Sequence, residues 1–402
     1  MKALRNLLDK IKPQCMPGGK FSKLQSVFDG FETFLFTPNT TAGKRGVHVH
    51  DANDLKRTMI TVVVSLIPVL LFGIYNVGYQ HYLAIGEPTA PWFDMVIFGL
   101  LAMLPRIVVS YAVGLGIEFI GAQIRHHEIQ EGFLVSGILI PLICPINTPL
   151  WMIAVATAIA VIFAKEVFGG TGMNILNVAL ITRAVLFFGY PSEMSGDKPF
   201  VATEPAFGFG EGTVTDAFSG ATPLGQVATN VGDTLAPITN IVGEPISTLD
   251  AFIGLIPGSV GETSTLCCLL GAAVLLFTGV ASWRIMLSVF AGGLCMGGFI
   301  YACGSPAYPV TLIDPIQQLC LGGFAFAAVF MATDPVTGAR TNVGKYIYGF
   351  MIGVLTILIR AFNGGYPEGA MLAVLFMNCF APLIDYCVVN SNINRRLKRA
   401  KA

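Results

Sequence analysis

Charged residues are scarce in this sequence of 402 residues. Asp, Glu, Lys and Arg make up 12% of it, whereas soluble domains carry about 25%. Hydrophobic residues make up 54%, and many stand in long uninterrupted runs. This composition excludes an ordinary soluble domain and predicts an all-α integral membrane protein that crosses the bilayer several times. Acidic and basic residues are equal in number, so the net charge is zero and no nucleic-acid partner is indicated.

Several sequence motifs are missing as well. None of the nine cysteines forms a C-x-x-C pair, and most lie in apolar runs, where a cysteine is usually a small buried hydrophobe. The chain has no Walker loop, no zinc signature and no G-x-G-x-x-G fingerprint followed by a ribose-binding acid. Its motifs therefore indicate no zinc site, no iron–sulfur centre and no NADH site.

Apolar stretches of helical length divide the sequence into about ten predicted transmembrane helices. The third is short for roughly 30 Å of hydrocarbon, and the fourth and fifth are marginal. Short spans interrupted by Gly or Pro are typical of broken helices that line a site. The predicted spans are residues 59–77, 93–120, 133–146, 149–165, 174–190, 264–281, 284–303, 317–332, 346–362 and 368–387.

Basic residues indicate how these spans are oriented. Lys and Arg are concentrated before the first span and again after the last one, so we predict that both termini are cytoplasmic. The protein would then be a multi-pass protein of the bacterial inner membrane. The predicted parts are a cytoplasmic basic arm, a first transmembrane repeat, a periplasmic loop, a second transmembrane repeat and a cytoplasmic basic tail, at residues 1–58, 59–190, 191–263, 264–387 and 388–402.

Two stretches of the sequence are similar to each other. Residues 166–174 resemble residues 334–342, and each stretch is followed, after an apolar span, by Gly-Tyr-Pro. Because five is an odd number, two halves of five spans each would have opposite orientations in the membrane. We therefore predict two inverted five-helix repeats, an arrangement that usually has a functional site at the interface of the repeats. The alternative is a chance similarity between glycine-rich turns.

Ionisable side chains in or beside apolar spans are candidates for function, because burying them in a membrane is costly. A carboxylate near backbone carbonyls suits a hard cation such as sodium, or a proton path. The alternative is a structural pair between an arginine and a carboxylate near a helix end. The candidates are Arg106, Glu118, Arg183, Asp334, Arg360 and Asp385.

Two asparagines stand at the predicted start of the fifth span. Asn174 and Asn177 are three positions apart, so they would share a helix face. Their amides can donate and accept hydrogen bonds, which matches the edge of an isoalloxazine ring. The alternative is structural: Asn174 would cap the helix and Asn177 would pack against a neighbouring helix.

A polar loop between long apolar runs carries the pattern D-x-x-S-G-A-T, from Asp216 to Thr222. The small residues around Thr222 would let a modifying enzyme approach its hydroxyl closely. The alternative is a simple helix start, with Thr222 as the N-cap and Pro223 at the first helical position.

This loop resembles the signature at which a flavin transferase esterifies the phosphate of FMN to a threonine. Together with the ten spans and several further motifs, it makes the sequence similar to the B subunit of the sodium-translocating NADH:quinone oxidoreductase over nearly the whole chain. Those further motifs lie at residues 165–172, 331–335, 366–369 and 380–385.

The resemblance implies FMN attached covalently to Thr222 as a phosphothreonine ester, and non-covalent riboflavin near Asn174 and Asn177. Electrons would pass from the flavin of a partner subunit through these two flavins to ubiquinone, and Na⁺ would move outward in step. The partners would be the A, C, D, E and F subunits of the complex, with a flavin transferase for maturation.

The resemblance also implies roles for single residues. Glu118, Asp334 and Asp385 match acids tied to sodium uptake, and Gly114 matches one glycine of a pair associated with the quinone site. The second position of that pair is Leu115 here, which leaves the shape of the quinone site open.

Two other functions fit parts of the sequence. The D subunit of an Rnf-type ion-translocating electron transport complex has the same S-G-A-T loop, although the basic arm before the first span is more similar to the B subunit of the sodium-translocating family. A passive channel or transporter with inverted repeats would have the same spans but would bind no flavin.

Overall fold

The computed structural model describes residues 2–16, 19, 21, 28, 32, 36, 55–125, 132–196, 199–214, 218–230, 236–305 and 308–401. Helices form the regular structure of these residues, which contain no β-strand. The α-helices of six or more residues are α1 (Lys2–Cys15), α2 (Leu55–Ala84), α3 (Trp92–Arg125), α4 (Phe133–Ile143), α5 (Leu150–Ala160), α6 (Val178–Gly189), α7 (Pro223–Ala228), α8 (Thr248–Ile253), α9 (Thr265–Phe277), α10 (Trp283–Ala302), α11 (Pro315–Cys320), α12 (Asn342–Phe362) and α13 (Ala370–Lys401).

Five of these helices, α2, α3, α10, α12 and α13, are long and apolar enough to cross a membrane. They expose large apolar side chains such as Leu71, Leu104 and Phe299, which suits a hydrocarbon surrounding that accepts apolar surface but no unpaired backbone polar groups. Helices α4, α6 and α9 are also apolar but shorter. The prediction of an all-α, multi-pass membrane protein is confirmed.

Breaks in the apolar segments shift several of the predicted boundaries. Helix α4 ends at Ile143, because Pro145 favours extended backbone at Cys144. The predicted span 317–332 is interrupted after α11, where Gly322 and Gly323 have φ of 59° and 69°. Glycine adopts this left-handed conformation without a steric penalty, so the apolar run bends although its hydrophobicity is continuous.

A π-helix lies next to each of the two similar sequence stretches. Val161–Glu166 continues α5, and Ala327–Met331 continues the short turn Phe324–Phe326. Stretch 166–174 begins at the end of the first π-helix, and stretch 334–342 begins shortly after the second. The sequence similarity is therefore matched by a shared local structure of a rare kind that is frequent at functional sites. The inverted arrangement of the two halves stays a prediction.

Glycines bring α10 and α12 into close contact. Gly353 of α12 lies against the backbone of α10 at Val289 and Gly293, and a Cβ added to Gly353 would collide with both. Small residues allow membrane helices to approach in this way, because burial from water does not drive their association within lipid.

The segment predicted as a periplasmic loop, 191–263, contains helices α7 and α8. Leu224 and Val227 of α7 and Ala251 of α8 are buried in a small core of their own. Residues that follow α10 complete this core, including Val310, Ile313 and Leu321. Helix α7 is thereby held against the broken segment around α11, and this contact sets the position of Thr222.

Candidate functional site

A cavity with about 800 Å³ of free space, part of it continuous with the exterior, lies among α2, α4, α9 and the turns before α6 and α12. We call it the first cavity. Most of its lining is apolar, and its polar lining includes Lys165, Asn174, Asn177, Thr333 and Asp334.

Asn177 is the N-cap of α6, and its side chain is buried. Its Oδ1 accepts hydrogen bonds from the backbone N–H groups of Ala179 and Leu180 over 3.0 and 3.3 Å. Its Nδ2 donates to Oδ2 of Asp334 over 3.0 Å. The expectation that Asn174 and Asn177 share a helix face is wrong, because α6 begins only at Val178.

Asn174 lies in the turn before α6 and makes local hydrogen bonds. Its Oδ1 accepts from the N–H of Gly172 over 3.3 Å, and its Nδ2 donates to the carbonyl of Leu176 over 3.1 Å. The capping role that the structural alternative gave to Asn174 belongs to Asn177. Both side chains nevertheless line the first cavity.

Asp334 lies between the second π-helix and α12. Its carboxylate accepts hydrogen bonds from Asn177, from the N–H of Val336 and from the hydroxyl of Thr337, each over 3.0 Å. Desolvation raises the pKa of Asp334 above its usual value, and the hydrogen bonds oppose this shift without cancelling it. The structure thus places a carboxylate with a raised pKa at the wall of the first cavity.

Glu118 of α3 forms a buried ion pair with Lys165. Lys165 belongs to the first π-helix and also lines the first cavity, so the pair joins Glu118 to that cavity. The second carboxylate oxygen of Glu118 is buried without a hydrogen-bond partner. Lys165 was not predicted as a site residue, although it begins the motif at 165–172.

Gly114 of α3 lies beneath the ring of Phe133, the first residue of α4. A Cβ at position 114 would collide with that ring. The ammonium of Lys165 lies 6.0 Å from the centroid of the same ring, and Gly132 lines the first cavity. Gly114 therefore permits the close crossing of α3 and α4 beside the Glu118–Lys165 pair.

Thr222 lies in a different place, at the edge of a second cavity with about 730 Å³ of free space. It is 6% exposed, and its Oγ1 accepts a hydrogen bond from the N–H of Gly225 over 3.1 Å, as the N-cap of α7. The capping geometry expected from Thr222 and Pro223 is present, and Thr222 also borders the second cavity. Asp216 and residue 217 of the same motif lie outside the described residues.

Beneath the second cavity, Arg183 of α6 joins two buried carboxylates. Its guanidinium donates to Glu262, to Glu368 and to the carbonyl of Ile143 at the end of α4. The arginine–carboxylate pairing of that alternative is therefore correct for Arg183, although this residue lies in the middle of α6 and not near its end. Neither Glu262 nor Glu368 was predicted as a site residue, although Glu368 lies in the motif at 366–369.

Arg360 of α12 has a related position but other partners. Its guanidinium donates to the carbonyls of Gln318, Leu321 and Gly322, over 2.6, 2.7 and 3.1 Å, and to the carbonyl of Glu368 over 2.9 Å. The carbonyls of Gln318, Leu321 and Gly322 lie where the helix breaks after α11, so Arg360 stabilises the break.

Asp385 of α13 binds the backbone at the start of α12. Its Oδ2 accepts from the N–H of Arg340 over 2.7 Å, and its Oδ1 accepts from the N–H and the hydroxyl of Thr341 over 3.0 and 2.6 Å. Asp334 and Asp385 therefore hold the two ends of one turn, 334–341. Asp385 itself does not line the first cavity.

The structure groups the predicted residues into two places at opposite ends of α6. Asn174, Asn177, Asp334 and, through Lys165, Glu118 gather at the beginning of that helix, whereas Thr222 lies with Phe187 at its other end. Ten residues of α-helix separate Asn177 from Phe187, which corresponds to about 15 Å along the axis. The two cavities are thus near neighbours, linked by one short helix.

Comparison with known proteins places this geometry in a family. A profile described as the NQR2, RnfD, RnfE family matches residues 43–394. The chain is 43% identical to the B subunit of the Na(+)-translocating NADH-quinone reductase of Chromohalobacter salexigens, over 99% of this chain and 97% of that relative. It is 42% identical to the protein of the same name from Klebsiella pneumoniae, and 41% identical to that from Haemophilus influenzae, over 98% of this chain and 99% of each relative. With the profile spanning the membrane helices and both cavities, the chain belongs to the NQR2, RnfD, RnfE family.

Proposed function

We propose that this chain is the B subunit of a Na⁺-translocating NADH:quinone reductase. In this role it carries FMN covalently on Thr222 and riboflavin non-covalently, and passes electrons from the flavin of a partner subunit to ubiquinone, coupled to outward Na⁺ transport. It works with the A, C, D, E and F subunits in the bacterial inner membrane, with both termini in the cytoplasm, after maturation by a flavin transferase.

The names of the relatives support this function over the D subunit of an Rnf-type complex. The family profile covers both kinds of protein, but the relatives that align over nearly the whole chain are named as the B subunit of the Na(+)-translocating reductase. Sequence identity of this extent over both full lengths makes a shared role in the complex the simplest inference.

The single observation that carries the proposal is the pair of cavities at the two ends of α6. One adjoins a threonine hydroxyl in an S-G-A-T loop, and the other contains the polar residues expected near a second flavin. Bound flavins supply one-electron transfer chemistry. The helix between the cavities keeps them at a fixed, short separation.

The surroundings of Thr222 fit an attached phosphate ester. Its hydroxyl oxygen accepts one hydrogen bond, from Gly225. The described residues contain no acceptor for its proton, so esterification there breaks no donated hydrogen bond. The capping bond holds the oxygen in place at the edge of the second cavity, which leaves the threonine side chain oriented for modification.

The first cavity retains hydrogen-bonding capacity for a ligand. A side-chain amide nitrogen has two N–H groups. One N–H of Asn177 donates to Asp334, and one N–H of Asn174 donates to the carbonyl of Leu176. The second N–H of each amide is available to the carbonyl edge of a flavin ring. Asp334, beside them, is the nearest carboxylate for a sodium ion at this cavity.

Intact-chain mass spectrometry tests the proposal. The chain is co-expressed with its flavin transferase and partner subunits. Its measured mass should exceed the mass of the unmodified polypeptide by one esterified FMN, and the purified complex should also release riboflavin on denaturation. A colourless chain of unmodified mass would instead support a passive channel. Electron transfer to ferredoxin or NAD⁺ without quinone reduction would support the Rnf-type protein.

A further inference from the structure

Helix α13 continues well past the point where it meets α12. Asp385 of α13 accepts hydrogen bonds from the N–H groups of Arg340 and Thr341, and α12 begins directly after them at Asn342. Helix α12 has 21 residues, or about 30 Å, which is the thickness of the hydrocarbon layer. Its start therefore marks one boundary of that layer. Residues 386–401, which we call the α13 extension, project about 24 Å beyond this boundary.

An apolar stripe runs along the α13 extension. At 3.6 residues per turn its members fall within an arc of about 80°, and their side chains are between 46% and 64% exposed. From 389 to 401 every residue is exposed, so no described part of this chain covers the stripe. Outside the hydrocarbon, the stripe faces water unless another molecule binds it. Its members are Tyr386, Val389, Ile393 and Leu397.

The polar side of the α13 extension contributes little to helix stability. Residues 390–394 are Asn-Ser-Asn-Ile-Asn, and asparagine and serine are weak helix formers. Helices in proteins are stabilised chiefly by the packing of an amphipathic face. The α13 extension has such a face without a described neighbour in this chain, so a partner that binds the stripe accounts for its helical form.

The charge and direction of the α13 extension restrict what this partner can be. Five residues are basic and none is acidic, so a second copy of the extension would bring like charges together, which is unfavourable. A helix bound to a bilayer surface lies in the plane of that surface. The α13 extension instead continues a helix that crosses the bilayer, and after Pro382 it has no Pro or Gly at which to bend. The basic residues are Arg395, Arg396, Lys398, Arg399 and Lys401.

We propose that the α13 extension is a docking helix, whose apolar stripe inserts into a groove with apolar walls and a rim of carboxylates on the aqueous part of another subunit of the complex. A helix laid in a groove by its apolar face is a common mode of recognition. Arg396 and Lys401 lie on the two sides of the stripe, where they meet the carboxylates of the rim. This inference rests on the proposed membership of a complex and not on any flavin.

Photo-crosslinking in the purified complex tests the docking. A benzoylphenylalanine residue is placed at Ile393 in the stripe or, as the matched control, at Ser391 on the opposite face. Under ultraviolet light the first variant should form several-fold more adduct with another subunit than the second. Adducts with phospholipid or with a second copy of this chain, or equal protein adducts at both positions, overturn the proposal, as does the absence of any adduct. A chain that purifies without partner subunits counts against the proposed function instead.

Limited digestion with trypsin gives a second measurement. Trypsin cleaves after basic residues, so docking should protect the bonds after Arg395 and Arg396 in the complex. Ile393→Asp places a carboxylate in the apolar groove and should speed this cleavage several-fold, whereas Ser391→Asp makes the same change of charge on the opposite face and should leave the rate unchanged. A wild-type complex that is cleaved as fast as Ile393→Asp, or equal acceleration in both variants, overturns the role of the stripe.

Discussion

Nδ2 of Asn177 donates a hydrogen bond to Oδ2 of Asp334 over 3.0 Å, although the two residues are 157 positions apart. Asn177 caps α6, and Asp334 begins the turn that leads into α12. The bond therefore joins the segment just after the first similar stretch to the start of the second one, at the wall of the first cavity. The same Asn177 side chain therefore caps α6 and donates a hydrogen bond to the partly buried carboxylate of Asp334.

Asn177→Ala should destabilise the protein more than Asn174→Ala. The first variant removes a helix cap, at a cost of about 1 kcal/mol, and leaves Asp334 without one donor, which adds about 1–3 kcal/mol. Among the described residues, Asn174 hydrogen-bonds with Gly172 and Leu176 of its own turn, so it serves as the control. Thermal unfolding in detergent gives the comparison, and equal losses would show that the link to Asp334 contributes little.

Thr222→Val should abolish covalent flavin while the chain still inserts. Valine keeps the branched shape but has no oxygen to esterify. Thr229→Val is the matched control, because Thr229 lines the same cavity and its hydroxyl bonds only within the end of α7. A fluorescent band in a denaturing gel should disappear in the first variant and persist in the second. A band retained by Thr222→Val would refute the attachment site.

Lys165→Met should be strongly destabilising, by about 3–5 kcal/mol, because it leaves the buried carboxylate of Glu118 without its partner. The double variant Glu118→Gln, Lys165→Met removes both charges and should regain most of that loss. Thermal unfolding of the wild type, the two single variants and the double variant completes a double-mutant cycle. If the losses simply add, the ion pair is not an energetic unit.

Asp334 should make stability depend on pH. Its pKa is raised in the folded protein, above about 3.9 in the unfolded chain, so the unfolded chain loses its proton first as the pH rises. The contribution of Asp334 to stability should therefore fall from about pH 4 up to its raised pKa and then level off. Asp334→Asn should lack this component, which unfolding temperatures measured across that interval would reveal. Parallel curves for both proteins would contradict the raised pKa.

Asp385→Ala should weaken the stimulation of quinone reduction by sodium. The substitution removes the acceptor for the N–H groups of Arg340 and Thr341, which frees the turn that also contains Asp334. Asp314→Ala is the control, since Asp314 accepts from the backbone of Ile316 and Gln317 at a different helix start. Sodium titrations of the assembled complex should differ only for Asp385→Ala, and unchanged sodium dependence would argue against its role.

The start of α6 shows why a site was predicted in the right region but with the wrong geometry. Asn174 and Asn177 have the spacing of one helix face. However, Gly169, Gly170 and Gly172 adopt φ of 113°, 97° and 91°, so the backbone is still turning just before Asn174 and the helix begins at Val178. A three-residue spacing has the same appearance in sequence whether it lies in a helix or before one.

The sequence alone determined the membrane class, the approximate positions of the apolar helices and the S-G-A-T loop around Thr222. These features depend on residues that are close together in the sequence. A helix that crosses the hydrocarbon of a membrane needs a continuous apolar stretch, and a helix N-cap is made within one helical turn. The tertiary structure alone decided that Lys165 pairs with Glu118, that Arg183 joins Glu262 to Glu368, and that Asn177 meets Asp334. These partners are 47 to 185 positions apart. They come together only in the packed structure, because a charged or polar group that is buried between helices requires a partner of opposite charge or a hydrogen bond.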